Sequence, residues 1–128
     1  MEDIFFGRLM SAPVETVRPN ATLGEAAAQL LEHNIGSVVV VDDDGHLEGI
    51  LTATDFVRLA AEDAVASDVR VDEYMSTDVV TTTANDPITD VADTMIDNRF
   101  HHVPVVDDEE GVVGIITTTD LTAYVSGR

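Results

Sequence analysis

Two short segments of the chain carry the same polar side chains at the same spacing, and their chemistry suits the binding of a small polar molecule. An aspartate carboxylate has two acceptor oxygens and can take hydrogen bonds from both hydroxyls of a vicinal diol. Threonine hydroxyls and the first N–H groups of a helix can donate to a phosphate. The same residue types also cap helices with no ligand present, so a binding site and a helix cap both stay open. The segments are Thr52-Ala53-Thr54-Asp55 and Thr117-Thr118-Thr119-Asp120.

These segments belong to a repeat that spans most of the chain. Residues 10–60 and 75–125 align without a gap at an offset of 65, and 16 of the 51 positions are identical. The repeat predicts two domains, residues 1–65 with a core of 10–62 and residues 66–128 with a core of 75–126. Other matching segments are Leu9-Met10-Ser11 with Tyr74-Met75-Ser76, Val38–Asp43 with Val103–Asp108, and Gly49–Thr52 with Gly114–Thr117.

An amphipathic helix precedes the central strands of each copy. In the first copy, Thr22 and Glu25 have the spacing of a capping box. In the second copy, Asp86 is the expected N-cap, and Pro87 occupies the first turn, where proline is tolerated. Apolar residues at helical spacing predict the inner faces, which are Leu23, Ala26, Ala27, Leu30 and Leu31, and Ile88, Val91, Ala92, Met95 and Ile96.

The rest of each copy predicts a short strand, a β-hairpin and a closing helix. The short strand is expected near Thr16 or Thr81, and the hairpin strands are almost purely apolar around an acidic turn. The closing helices are expected at about 54–62 and 119–125. The predicted fold class is α+β, with two β-α-β-β-α repeats whose helices cover one face of each sheet. Because the other face is also apolar, we expect the repeats to pack through their sheets about a pseudo-two-fold axis, with paired clefts.

Both copies resemble the CBS domain, a family named for cystathionine beta-synthase. The family pattern is a helix leading into an apolar V-P-V-V-D strand, a turn, and then G-h-h-T-x-x-D at the start of a helix. The second copy has Val103–Asp107 and Gly114–Asp120, and the first has Val38–Asp42 and Gly49–Asp55. The tandem pair is similar to a Bateman module. This resemblance implies a regulatory module that binds AMP, ADP, ATP or S-adenosylmethionine between its repeats, with no required cofactor.

The resemblance also implies a role for each repeated residue. Asp55 and Asp120 would accept hydrogen bonds from the ribose hydroxyls, while Thr52 and Thr117 would contact ribose or phosphate. The remaining expected contacts are Thr54 and Thr119 with phosphate, Ile50 and Ile115 with the adenine ring, and backbone near Glu15 and Val80 with the adenine edge.

His101 and His102 are further candidates, because related modules often carry His or Arg here that reaches a phosphate. Arg99 lies nearby, and the first copy has Ile35-Gly36-Ser37 instead, which makes Ser37 the corresponding wall residue. In an extended segment the two histidines point to opposite faces, so one of them is expected to line a cleft. An ordinary surface pair is the alternative, and no metal site is predicted because no further ligand stands at suitable spacing.

The acidic turns of the two hairpins are the other candidates for metal binding. Asp42-Asp43-Asp44-Gly45 lacks the spaced ligands and the closing glutamate of an EF-hand loop. A solvated turn is therefore expected, with no calcium site.

The chain is strongly acidic, with 25 Asp and Glu, six Arg, no Lys and a net charge of −19. Such a field repels nucleic acid. Because the acids are spread along the chain, the composition is typical of proteins from salt-accumulating haloarchaea, and an acidic domain with a basic partner is the alternative. The sequence has no apolar run of membrane-spanning length, no signal-peptide pattern and no cysteine, so a cytoplasmic protein is expected.

Two classes of function stay open at this point. The first is a ligand-sensing regulatory module that acts on an unknown effector protein, and the second is a purely structural dimerisation module with empty clefts. An enzyme is not expected, because the chain has no cysteine, lysine, P-loop, H-E-x-x-H or serine nucleophile in a G-x-S-x-G motif. By resemblance to the family, we also expect a homodimer that associates through its helices.

Overall fold

The computed structural model describes residues 14–63 and 67–127, which form two compact units. One unit contains residues 15–79 and the other contains residues 80–127. Each has an amphipathic helix, an antiparallel β-hairpin and a closing helix, which confirms the α+β class predicted from the repeat. The repeated segment Leu9-Met10-Ser11 lies outside the described residues.

The first unit contains a three-stranded sheet in the order β1-β2-β3. Strand β1 (Thr16–Val17) is parallel to β2 (Ser37–Val41), and β2 is antiparallel to β3 (Leu47–Thr52). Helices α1 (Leu23–His33) and α2 (Ala53–Ala61) pack on one face of this sheet. The core that they share contains Val17, Leu23, Ala26, Leu30, Val38, Val40, Leu51, Leu59 and Val71.

The second unit has only two paired strands in the described part of the chain, β4 (His102–Asp107) and β5 (Gly111–Thr117). Helix α3 (Ile88–Asn98) precedes them and helix α4 (Thr118–Val125) follows. Leu121 and Tyr124 of α4 pack against a core that α3 and both strands form. The buried residues of this core are Ile88, Val91, Met95, Val103 and Ile116.

The short strand expected near Thr81 is reduced to a single parallel bridge between Thr82 and Val105. In the first unit, the Val39 N–H donates to the Glu15 carbonyl at 3.2 Å and extends the pairing of β1 with β2. Its counterpart is Pro104, which has no N–H to donate. One substitution between the repeats therefore accounts for the missing strand.

The starts of helices α1 and α3 differ from the prediction. Thr22 caps α1 by accepting the Glu25 N–H at 3.1 Å, but the Glu25 carboxylate contacts the Thr22 hydroxyl and does not complete a capping box. Helix α3 has Pro87 as N-cap, so the prediction of Asp86 was wrong. The Asp86 carboxylate instead accepts the Thr82 hydroxyl at 2.6 Å and the Thr83 N–H at 3.0 Å, and these bonds lower its pKa. They hold the turn before the helix, which is why the carboxylate does not cap it.

The apolar faces of the two amphipathic helices are narrower than predicted. Leu31 at the end of α1 is 83% exposed, and its counterpart Ile96 in α3 is 74% exposed. Each follows the last core residue of its helix, Leu30 or Met95, by one position. Both therefore point away from the sheet, because adjacent helical residues lie about 100° apart around the axis.

None of the helices in the described ranges is long and apolar enough to cross a membrane.

Gly49 makes room for residues Met75 and Ser76, which lie along the outer edge of β3. Ile50 and Ser76 exchange two backbone hydrogen bonds of 3.0 and 2.9 Å, and a Cβ on Gly49 would lie 2.7 Å from the Ser76 oxygen and 2.6 Å from the Met75 sulfur. We expect Gly49→Ala to lower the free energy of unfolding by about 1–3 kcal/mol, because relief of the overlap requires this pairing to shift. Denaturant unfolding measures this change, and an unchanged free energy would contradict the contact.

Candidate functional site

Both repeated Thr–Asp segments form complete capping boxes at the starts of the closing helices. In α2, the Thr52 hydroxyl accepts the Asp55 N–H at 3.2 Å, and Asp55 Oδ2 accepts the Thr52 N–H at 2.8 Å. In α4, Thr117 and Asp120 make the same two bonds at 3.2 and 2.9 Å. The helix-cap role is therefore confirmed for both aspartates. It does not exclude a ligand, because a carboxylate has about four lone-pair positions.

In the first unit, strand register places the cap beside two other predicted site residues. Ser37 lies directly opposite Thr52 in the antiparallel pair, and opposed residues point to the same face. Ile50 shares that face because it is two residues before Thr52. Val38 and Leu51 point to the other face, into the core with the helices. The structure thus groups Ser37, Ile50 and Thr52 on the face opposite the helices.

The second unit repeats this arrangement with one different side chain. His102 lies opposite Thr117, and Ile115 shares their face of the hairpin. Ile116 points into the helix-covered core. His102 therefore takes the position of Ser37, whereas His101 is exposed just before the strand. The remaining predicted residues, Thr54 and Thr119, are exposed in the first turns of the closing helices.

The two caps also differ three residues further along the closing helix. Arg58 donates through Nη1 to Asp55 Oδ1 at 3.1 Å, and the side chains of Arg58 and Asp55 are 62% and 13% exposed. The corresponding residue in the second repeat is Ala123. Sequence reasoning did not identify Arg58, although the spacing Asp–x–x–Arg on a helix is a signal for such a pair.

His102 is half-buried, and this burial lowers the pKa of its imidazole. Repulsion from His101 lowers the pKa further, while attraction to Asp120 opposes the shift. The imidazole is therefore mostly neutral near pH 7, where it offers one hydrogen-bond donor and one acceptor. The second repeat thus presents a neutral polar ring where the first presents a hydroxyl.

The depressed pKa of His102 predicts a pH dependence of stability. As the pH falls from about 7, the unfolded state binds the proton first, so the free energy of unfolding falls through about pH 6.5 and on toward the folded-state pKa. We expect His102→Gln to flatten this part of the profile in urea unfolding at several pH values. The exposed His46 provides the control substitution His46→Gln, and a profile unchanged by His102→Gln would contradict the prediction.

The acidic hairpin turn of the first repeat is closed by its own hydrogen bonds. Asp42 Oδ1 accepts the N–H groups of His46 and Asp44, both at 2.9 Å, and these bonds lower the pKa of Asp42. Ligand-type atoms of Asp42, Asp44 and His46 lie within 4.8 Å of one another. The sequence interpretation considered the aspartates of this turn but not His46, which follows them. The turn is held by backbone donors and is largely exposed, and the solvated turn without calcium stays a prediction.

Two α+β repeats, each with a Thr–Asp cap beside the end of a hairpin, define a tandem-repeat domain pair. The family model for the CBS domain matches residues 3–62 and 71–127. The chain therefore belongs to the CBS domain family and carries two copies of the domain, as the sequence patterns indicated.

Known proteins with this architecture align over nearly the whole chain. The chain is 32% identical to the CBS domain pair of protein MJ0100, whose crystal structure is a complex with 5′-methylthioadenosine and S-adenosylmethionine, with a TM-score of 0.89 over 98% of each chain. It is 36% identical over 114 residues to an uncharacterized 17.7 kDa protein of Acidianus ambivalens, covering 89% of this chain and 68% of that protein. A third relative, the L-aspartate semialdehyde sulfurtransferase of Methanocaldococcus jannaschii, is 34% identical over 94% of this chain, which spans only 23% of the enzyme.

Proposed function

We propose that this CBS domain pair is a cytoplasmic regulatory module that binds an adenosine-containing ligand at its capped Thr–Asp segments and catalyses no reaction itself. The observation that carries the proposal is the repeated grouping of a Thr–Asp cap with an isoleucine on the same side of the hairpin. This grouping offers acceptors for a ribose beside isoleucines that are each 8% exposed, so each leaves only a small apolar area for a base. The similarity to a domain pair that binds 5′-methylthioadenosine and S-adenosylmethionine supports it.

Each side chain has a defined part in this proposal. Asp55 and Asp120 accept the ribose hydroxyls with the acceptor positions that the cap leaves, and Ile50 and Ile115 contact the adenine. Thr52 and Thr117 contact ribose or phosphate. Where the ligand has a phosphate, the expected donors are Thr54 and Thr119, and His101 or His102.

The charge of the chain limits the choice of ligand. At a net charge of −19 with six arginines, the protein repels a triphosphate unless salt or magnesium screens it. In the described part of the chain, three arginines already bond to aspartates, in the pairs Arg18–Asp43, Arg58–Asp55 and Arg70–Asp72. We therefore expect AMP, ADP, 5′-methylthioadenosine or the cationic S-adenosylmethionine to bind more tightly than ATP.

Thermal unfolding in about 1 M KCl tests this function, with each ligand supplied with and without magnesium. A ligand at about 100 times its dissociation constant adds about 2.7 kcal/mol to the stability of the folded state. We expect at least one adenosine ligand to raise the midpoint. If none does, the regulatory proposal fails and the structural alternative is favoured.

Exposed apolar side chains on the helices favour the second candidate function, assembly into a homodimer. The exposed residues Leu31 and Ile96 occupy equivalent positions in the two repeats, and Val57 and Val125 are exposed on the closing helices. We expect a second copy of the chain to cover these side chains, because large exposed apolar patches mark association sites. We expect a particle of twice the 13.7 kDa chain mass in light scattering at high salt, and a 13.7 kDa particle for Leu31→Glu with Ile96→Glu. A wild-type monomer would contradict the assembly.

A further inference from the structure

We propose that Arg58 is an internal competitor for the ligand, which lowers the affinity of the first repeat by holding the carboxylate that the ribose needs. This inference rests on the proposed function, because it concerns the ribose contact of Asp55. Arg58 is an affinity-determining residue because of its bond to Asp55 Oδ1.

Both oxygens of Asp55 already have a donor. Oδ2 accepts the Thr52 N–H at 2.8 Å, and Oδ1 accepts Arg58 Nη1 at 3.1 Å. The Asp55 side chain is only 13% exposed, so few directions of approach remain for the two hydroxyls of a diol. A ribose that takes the carboxylate in a bidentate way must therefore share or displace one of these donors.

Arg58 is the donor that can leave. The Thr52 N–H belongs to the backbone at the start of α2 and is fixed by the capping box. The arginine is a flexible side chain that is 62% exposed, and its guanidinium can be hydrated by water once it is released. Exposed ion pairs are weak, so the competition lowers the affinity by about fivefold or less and does not block the site.

The second repeat cannot have this competitor at the same helical position, because that residue is Ala123. An alanine side chain has no hydrogen-bond donor. The effect of position 58 is therefore a property of the first repeat and can be removed by a single substitution there.

The test is a calorimetric titration with 5′-methylthioadenosine, which is neutral and keeps the ribose diol, at the lowest KCl concentration that maintains the fold. An Asp120→Asn background weakens the second repeat while its amide oxygen can still accept the Thr117 N–H. Arg58→Met removes the donor and keeps a good helix former. The matched control is Arg70→Met, which changes the net charge equally and breaks the exposed Arg70–Asp72 pair.

We expect Arg58→Met to bind more tightly than the parent by up to about fivefold, and Arg70→Met to bind as the parent does. Equal or weaker binding by Arg58→Met would overturn the inference while leaving the proposed function in place. A gain of the same size with 2′,3′-dideoxyadenosine would also overturn it, because that probe has no diol to compete for Asp55. Absence of saturable binding in every variant and in the wild type would overturn the proposed function and the inference together.

Discussion

The double substitution Asp55→Ala and Asp120→Ala is expected to abolish the rise in thermal midpoint that an adenosine ligand causes. At about 100 times the wild-type dissociation constant, this is a loss of about 2.7 kcal/mol of ligand-linked stability. The physical reason is that alanine has no acceptor for the ribose hydroxyls. Each single substitution is expected to remove the contribution of its own repeat. Thermal unfolding with and without ligand measures both effects.

These substitutions also break the capping boxes, so a control must separate the cap from the ligand. Loss of a cap costs about 1 kcal/mol with no ligand present. Asp86→Ala is a suitable match, because the Asp86 carboxylate holds the turn before α3 through Thr82 and Thr83 but is not part of the proposed site. We expect Asp86→Ala to lower the midpoint and to keep the full ligand shift. A ligand shift that survives the double substitution would contradict the ribose role.

Salt is expected to stabilise the protein strongly. The net charge of −19 on 128 residues makes the folded state repel itself, and the Debye length falls from about 10 Å at 0.1 M salt to about 3 Å at 1 M. We expect the thermal midpoint to rise by about 10 °C or more between these concentrations of KCl, which corresponds to about 2–3 kcal/mol for a domain of this size. A midpoint independent of salt would contradict this account of the composition.

A charge-reduced variant tests whether screening is the cause of the salt effect. Neutralising five exposed acids changes the net charge from −19 to −14 and leaves the capping boxes intact. The dependence of the midpoint on KCl should then be shallower than in the wild type. An equal dependence would assign the effect to the general influence of salt on apolar burial. The substitutions are Glu32→Gln, Glu48→Gln, Asp108→Asn, Glu109→Gln and Glu110→Gln.

Much of the fold could be predicted from the sequence because its signals are local. The 65-residue offset identified the two copies, and the apolar strands around each acidic turn predicted hairpins that the structure contains. The closing helices begin at Ala53 and Thr118, one residue before the expected starts. The helix-cap role of Asp55 and Asp120 was also recognisable, because Thr-x-x-Asp is the spacing of a capping box.

The errors arose where a side chain had two competing partners or where one backbone donor was missing. Asp86 had the residue type of an N-cap, but the nearby Thr82 hydroxyl and Thr83 N–H take its carboxylate. The strand near Thr81 matched the first copy in sequence, yet Pro104 removes the donor that extends such a pairing. The bond between Arg58 and Asp55 did not follow from the repeat, because the corresponding residue in the second copy is Ala123.

Equilibrium dialysis with labelled S-adenosylmethionine in high salt tests the central claim most directly, because it measures bound ligand without relying on a change in stability. We expect saturable binding by the wild-type protein, with competition by unlabelled 5′-methylthioadenosine, and no binding by the variant with Asp55→Ala and Asp120→Ala. The claim that this domain pair senses an adenosine ligand would be contradicted by two results together. The wild-type protein would retain no more labelled S-adenosylmethionine than the double variant at every ligand concentration, and it would bind no labelled AMP or ADP.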